Sequence, residues 1–329
     1  MRLEGKRILV TGGTGFLGSS LVERLVRGGH RVRATFHRKH VPVTREPVEW
    51  IRADLTNPAD CARVTQGVDV VFHFAANTSG AAVMVETPLV HVTTNVVMNT
   101  RLLEAAHASG VGCFVFPSSG AAYPPTGDRP VAEPEMFAAE PYPAYYPVAS
   151  MKRFSELLCE MYARRIQPGM KTIVVRPSNV YGPCDKFDPK TSHVTAALVR
   201  KVVERLDPLE VWGTGEDVRD LIYIDDFLDG LLLAAQVDSD YLAVNIASGE
   251  GHSVRDVLGT LLDLDGWHDA DVRFDPSKPS TIPIRLMSNE LARQSLGFAP
   301  KIDLRAGLRR TLEWYRSDVE RREEIRRAS

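Results

Sequence analysis

Cysteine is scarce in this chain. Cys61, Cys113, Cys159 and Cys184 are scattered through 329 residues with no Cys-x-x-Cys pair, which excludes a disulfide framework and a cysteine zinc site. Such usage fits a reducing compartment and predicts a cytoplasmic protein. Long apolar runs are missing too: none approaches the roughly 20 residues that span a bilayer, so no membrane partner is expected. Neither sign of charge dominates. Forty Lys and Arg against 42 Asp and Glu leave a net charge of −2, and no basic run is longer than a few residues, so no nucleic-acid partner is expected. Repeats and low-complexity segments are absent. The first residues lead directly into an apolar strand, which predicts no cleavable leader in this sequence. No cluster of ligand residues predicts a metal. What remains is 44% hydrophobic and 25% charged, an ordinary globular composition, in a chain long enough for two lobes.

The organising stretch is residues 7–18. An apolar strand, Ile8 to Val10, runs into Gly12-x-x-Gly15-x-x-Gly18, and an amphipathic helix follows at once. Gly12 permits a tight turn, Gly15 lets a pyrophosphate approach the backbone, and Gly18 lets the helix pack against the strand. The helix start, with Phe16 and Leu17, points backbone N–H groups and a partial positive charge at that phosphate. A second strand, Val32 to Phe36, lies at the distance expected of a strand–helix–strand unit, and the context predicts dinucleotide binding.

From Lys6 to about Phe116 short strands alternate with helical patterns. The strands read Arg7–Val10, Arg31–Phe36, Val48–Arg52, Val70–Phe74 and Cys113–Phe116, with a long helix at about Leu89–Ser109. Alternation with nearly unbroken apolar strands predicts an α/β fold, a Rossmann-type doubly wound parallel sheet whose ligands bind outside the carboxyl ends of the strands. The second strand ends Phe36-His37-Arg38-Lys39, with no acid to hold a ribose 2′-OH and two cations to meet a 2′-phosphate. NADP(H) is therefore favoured, with NAD(H) open. Asp54 and Leu55 end the third strand, where a carboxylate could accept from the adenine amino group. Ala75 and Ala76 follow the fourth, small enough for close approach of the cofactor. His73 on that apolar strand reads as a packed core histidine. A Pro- and Tyr-rich loop spans Pro124 to Pro147, helix resumes at about Val148, and a sixth strand occupies Lys171–Val175.

With these residues in view the sequence resembles the extended short-chain dehydrogenase/reductase family, the NAD(P)-dependent sugar-nucleotide epimerases, dehydratases and reductases. The resemblance covers essentially the whole chain. Beyond the glycines it is carried by Ser118-Ser119 through Tyr123, Lys152 with Glu156, Arg176-Pro177-Ser178-Asn179-Val180-Tyr181-Gly182-Pro183, Trp212-Gly213-Thr214-Gly215, and Arg219-Asp220 with Ile224-Asp225-Asp226. The C-terminal half is most similar to GDP-fucose synthase-like members, through Ser192-His193-Val194, Val211-Trp212-Gly213 and Asp275 to Pro279 followed by Pro283-Ile284-Arg285. The resemblance implies a dinucleotide-binding domain at 1–176, a segment near 221–247 that returns to it, and a smaller α/β substrate lobe at 177–329. It implies that Ser119 holds the sugar oxygen, that Lys152 binds the nicotinamide ribose, and that Asn95 joins the cofactor site. Asn179, Arg219, Lys278 and Arg285 would hold the sugar nucleotide, and His193 matches a partner acid of epimerisation. A homodimer built on the helices at Leu89–Ser109 and Val148–Arg165 is the expectation from this family.

The pattern breaks at one residue. Family members carry a tyrosine four residues before the lysine, and this chain has Val148 there. Tyr146 is the first candidate to replace it, with Pro147 placing both Tyr145 and Tyr146 in the approach loop, free to fold back. The other reading is that the acid–base tyrosine is missing and the chemistry altered. Gly120-Ala121 also departs from the dehydratase pattern, and Ala121 stands where a 3,5-epimerase would carry its cysteine base. The function expected is NADP(H)-linked oxidoreduction or epimerisation of a nucleotide-diphosphate sugar, by 4-keto reduction or C4 epimerisation. The alternative is a catalytically atypical NADP- or sugar-nucleotide-binding protein.

The basic turn generates a direct prediction. Arg38→Ala weakens NADPH binding by about 1.5–3 kcal/mol, the scale of a charge-assisted hydrogen bond, and leaves NADH nearly unaffected. Isothermal titration with both dinucleotides checks it, and equal losses for the two refute it.

Overall fold

The computed structural model describes residues 2–38, 47–78, 87–278 and 281–328. The N-terminal part runs β1 (Arg7–Thr11), α1 (Phe16–Arg27), β2 (Arg31–Phe36), β3 (Glu49–Arg52), α2 (Pro58–Thr65), β4 (Val70–His73), α3 (Thr93–Ala108) and β5 (Cys113–Pro117). It continues through α4 (Tyr146–Arg164), β6 (Lys171–Pro177), β7 (Asn179–Tyr181), α5 (Val194–Val203), β8 (Leu209–Trp212) and β9 (Val218–Tyr223). The last part is α6 (Ile224–Gln236), β10 (Tyr241–Ile246), β11 (Gly251–Ser253), α7 (Val254–Asp265), β12 (Val272–Asp275), β13 (Ile284–Arg285), α8 (Glu290–Leu296) and α9 (Leu304–Ala328).

Seven strands form one parallel sheet in the order β10-β6-β5-β4-β1-β2-β3. Strand alternation divides its side chains between two cores. Ile8, Val10, Val32, Ala34, Phe72 and Val115 face one side with Leu21 and Leu25 of α1 and Phe227 and Leu231 of α6. Leu9, Val71, Phe114 and Val174 face the other with Val64 of α2, Leu102 of α3 and Cys159 of α4. Both faces are therefore dry, which is why the strands read as unbroken apolar runs.

The sixth strand on this sheet is followed by an excursion. β7 pairs with β9, which also pairs with β11 and β13, and β8 pairs with β12 in a separate two-stranded sheet. The chain then returns through α6 to lay β10 along the outer edge of the main sheet, beside β6.

Helix boundaries differ from expectation in two places. The long helix after β4 is broken: Pro88–His91 is a 3₁₀ turn and α3 begins at Thr93. The segment before Lys152 is not all loop either. It holds 3₁₀ turns at Glu133–Phe137 and Pro143–Tyr145, and α4 starts at Tyr146 with Pro147 in its first turn. Proline is tolerated there because the missing N–H has no helical partner in the first turn.

A buried polar group pins the sheet to α4. The guanidinium of Arg176, on β6, meets the Glu156 carboxylate at 2.6 Å, both side chains being almost inaccessible. Its Nη1 also donates to the Tyr123 hydroxyl and the Glu133 carbonyl. The Tyr123 hydroxyl in turn donates to Asn245 Oδ1 on β10 at 2.6 Å.

Candidate functional site

The carboxyl end of β1 forms a glycine cradle. Gly12 has φ +66°, and a Cβ there would lie 2.7 Å from the Ala75 amide. A Cβ on Gly18 would collide with the Gly12 carbonyl. Both positions therefore require glycine. Thr35 of β2 fixes the turn by accepting from the Gly12 amide at 3.1 Å, and its carbonyl accepts from Gly13. Gly15 is the N-cap of α1 and supplies no side-chain cap to the first-turn amides at Phe16, Leu17 and Gly18. A helix start left this way suits a phosphate, and the cradle fits a dinucleotide.

At the end of β2, Arg38 is exposed, and Lys39 lies outside the described residues. Asp54 keeps its carboxylate ionised below the usual range, first through the hydrogen bond from the Thr56 hydroxyl and then the one from its amide. His37 Nε2 stands 3.9 Å from that carboxylate. Leu55 does not offer a side chain to this end of the sheet. It is buried in the core, where it packs with the α2 face. Ala75 and Ala76 follow β4, the latter exposed. Asn95 is buried and its side chain acts on the backbone: its amide donates to the Asn77 and His91 carbonyls and accepts from the Asn77 amide. It thereby holds the segment after β4 in place.

Lys152 reaches the end of β5, where Nζ donates to the Pro117 carbonyl at 2.7 Å and lies 4.8 Å above the Phe116 ring. Burial pushes its pKa down to about 8, with Glu156 pulling the other way. Ser119, two residues beyond Pro117, accepts from the Ala121 amide and caps a short 3₁₀ turn. The expected fold-back of Tyr146 does not occur. As the first residue of α4 it is 50% exposed, and six residues on a helix put it about 9 Å along the axis from Lys152 and on another side. Arg153 is its charged neighbour. Tyr145 instead turns inward and packs against the cluster of Ala122, Tyr123, Met136 and Met287.

The opposite wall comes from the β7–β9–β13 sheet. Arg219 and Arg285 occupy paired register positions on β9 and β13, and Asn179 pairs with Leu221, two residues along from Arg219. Parallel pairing puts these three side chains on one face. Arg219 donates to the Pro283 carbonyl and to Thr281 Oγ1, and Asp217 stands 3.4 Å away. Arg285 is only 6% exposed. Its two terminal nitrogens donate to the Tyr123 and Pro124 carbonyls, and Nε meets no partner among the described residues. Arg285 is thus first a strut that ties β13 to the segment after Ser119. Its pKa is lowered by burial, and Arg219 adds to that. Lys278 is not brought to this face: it is exposed on the turn after β12, in the two-stranded sheet. His193 is the N-cap residue of α5, and its surroundings first, then Lys186, push its pKa down. Lys186 itself reaches across to Thr78, donating to its carbonyl and hydroxyl.

One set of polar residues escaped the sequence reading. His73 is 2% exposed and is not merely packed: Nδ1 lies 2.8 Å from Thr11 Oγ1, and Nε2 lies 2.9 Å from Asn99 Oδ1. Asn99 Nδ2 donates to Ser155 Oγ at 2.8 Å. The available signal was a pair of asparagines, Asn95 and Asn99, one turn apart on the otherwise apolar inner face of α3.

Comparison with known proteins follows this geometry. Residues 8–247 match the family model described as the NAD dependent epimerase/dehydratase family. The chain is 30% identical over 323 residues to GDP-L-fucose synthase of Sinorhizobium fredii (strain NBRC 101917 / NGR234), covering 96% of this chain and 98% of that protein. It is 31% identical over 325 residues to GDP-mannose 3,5-epimerase 1 of Oryza sativa subsp. japonica, covering 97% and 84%. Among solved structures, UDP-glucose 4-epimerase of Thermotoga maritima with UDP-glucose superposes with a TM-score of 0.86 at 28% identity, covering 95% and 99%.

Burial of His73 sets a pH dependence. Desolvation lowers its pKa from 6.5 to about 4, with the Lys152 charge acting in the same direction. As pH falls from about 6.5 to about 4 the unfolded chain takes up a proton that the folded chain refuses, so stability is lost across that window and not above it. The loss amounts to about 2–4 kcal/mol. Urea unfolding of the parent and His73→Gln at pH 7, 5.5 and 4 checks this. The stability gap between them narrows as pH falls; a constant gap refutes the assignment.

Proposed function

Because the chain belongs to the NAD dependent epimerase/dehydratase family, we propose that it is an NADP(H)-linked enzyme acting on a nucleotide-diphosphate sugar, by 4-keto reduction or C4 epimerisation. The observation that carries the reading is a pairing of two walls. A glycine cradle with Lys152 and Ser119 stands at the carboxyl ends of β1 and β5. Arg219 and Arg285 stand side by side on the facing strands, tied to the segment after Ser119 by the hydrogen bonds of Arg285. Arg219 and Arg285 bring two neighbouring guanidinium groups to this face, Arg219 with Asp217 beside it, and such a pair suits a polyanion such as a diphosphate.

In this reading Gly12, Gly15 and the first turn of α1 hold the dinucleotide pyrophosphate, Arg38 meets the 2′-phosphate, and Lys152 binds the nicotinamide ribose. The cofactor, when bound, supplies or accepts hydride at the sugar carbon. Ser119 orients the sugar oxygen. With Val148 in place of a phenol and Tyr146 on another side of α4, Lys152 is the group nearby whose pKa of about 8 suits proton exchange near neutrality. The T. maritima relative carries UDP-glucose, which supports a nucleotide-sugar substrate here.

An exposed stripe supports self-association. Phe154, Leu157 and Met161 project from α4 at spacings of three and four residues, and Val97 projects from α3. We assign it to a homodimer, and Leu157→Asp yields a monomer in analytical ultracentrifugation. A monomeric parent protein refutes the assignment.

The function is tested by following NADPH absorbance with a nucleotide-linked 4-keto sugar. The parent consumes NADPH, or interconverts the C4 epimers without net consumption. Arg219→Ala raises substrate KM at least about tenfold, as expected for a lost charged hydrogen bond, and leaves the NADPH KM within about twofold. Tyr146→Phe keeps kcat within about tenfold, below the loss expected for a positioned acid–base group. Tight NADPH binding without turnover of any keto sugar or epimer pair favours the atypical binding protein.

A further inference from the structure

The hydrogen-bond chain through His73 has a direction fixed at both ends. At one end the Ala75 amide can only donate, and it does so to Thr11 Oγ1 at 3.1 Å. At the other end the Met151 carbonyl can only accept, and it takes the Ser155 hydroxyl proton at 3.0 Å. Having given its proton away, Ser155 Oγ accepts from Asn99 Nδ2. That orients the Asn99 amide with Oδ1 toward His73, where it accepts from Nε2–H. Nδ1 is then bare and accepts the Thr11 hydroxyl proton. Every hydrogen is used once and every link points the same way.

The chain joins the two halves of the cofactor wall. Thr11 immediately precedes Gly12, whose turn packs so closely on the Ala75 backbone that a Cβ there would lie 2.7 Å from its amide. Met151 immediately precedes Lys152, and Ser155 lies one turn further along α4. A second contact runs beside the first: the Phe116 ring sits 6.3 Å from the His73 ring and beneath the Lys152 ammonium. A displacement of the glycine turn therefore reaches Lys152 through packed and directed contacts only.

We propose that His73 is a positioning residue, the middle link of a one-way chain Thr11–His73–Asn99–Ser155 that makes the pose of the glycine turn and the pose of Lys152 one energetic unit. Occupation of the turn by the dinucleotide and placement of the Lys152 amine are then coupled. The proposal rests on the dinucleotide reading of the cradle, and its test separates the two. Neither Thr11 nor Ser155 is part of the proposed binding or reacting groups, and each has a near-isosteric replacement.

The experiment uses Thr11→Val, Ser155→Ala, the double variant and Thr11→Ser as the conservative rescue. NADPH affinity is measured by calorimetry, and the Lys152 amine titration by NMR of the reductively methylated protein. Each single variant weakens NADPH about five- to tenfold, the double variant about tenfold and not the product, and Thr11→Ser restores the parent value. Independently of any cofactor, Thr11→Val moves the Lys152 midpoint by about half a pH unit although the two side chains belong to different elements. Nitrogen chemical shifts of the parent show His73 as the Nε2–H tautomer. Multiplicative losses, unchanged affinity with only a lower melting temperature, an unmoved Lys152 midpoint, or the Nδ1–H tautomer overturn the proposal. A parent protein that binds neither dinucleotide overturns the cofactor reading instead, and the Lys152 midpoint and the tautomer still decide the chain.

Discussion

The ion pair between Arg176 and Glu156 is the constraint on which the architecture of the site depends. Both charges are almost wholly removed from water, a cost that their attraction offsets only when the remaining donors and acceptors are satisfied. Here they are. Arg176 spends its Nε and Nη2 on Glu156 and its Nη1 on Tyr123 and Glu133, and Tyr123 passes the connection to Asn245. Asn245 then donates to the Val131 and Ser288 carbonyls. Glu156 is one helical turn from Lys152 on the same side of α4, so the group that sets the rotation of that helix also aims the amine at the end of β5. The same network fixes the segment after Ser119, which is where Arg285 finds its carbonyls.

Much of this was legible in the sequence for a simple reason. Period-two burial on both faces of a parallel sheet leaves apolar runs, and glycines that a Cβ would turn into clashes leave a fixed spacing. β2 runs Arg31–Phe36 as expected, and the other core strands shift at their ends by one or two residues. Polar residues inside the core left a weaker trace. His73 read as packing because a strand shows which face a residue occupies, but not which partner arrives from a helix 26 residues away. Asn95 and Leu55 were expected at the cofactor; the Asn95 side chain is committed to the Asn77 and His91 backbone and that of Leu55 to the core. Arg285 reads in sequence as a free cation for a diphosphate, yet its strand position commits two nitrogens to backbone carbonyls.

The tyrosine position shows where local chemistry and tertiary context part. Pro147 suggested a helix start that would leave Tyr146 in a loop, but the preceding 3₁₀ turn carries the chain into α4 one residue earlier. That single residue commits the Tyr146 phenol to the outer rotation of the helix, beside Arg153, while Tyr145 takes the inward place against Met287 and Tyr123. Val148 occupies the helix position four residues before Lys152 and carries no group that exchanges a proton.

The return of β10 to the edge of the main sheet has an evolutionary consequence. The chain enters the excursion after β6, leaves it through α6 to complete the sheet, and departs again, so the two walls of the cleft are stitched together by several crossings. A scaffold sewn in this way cannot trade its substrate-facing wall as an intact cassette, because any cut leaves the sheet one strand short.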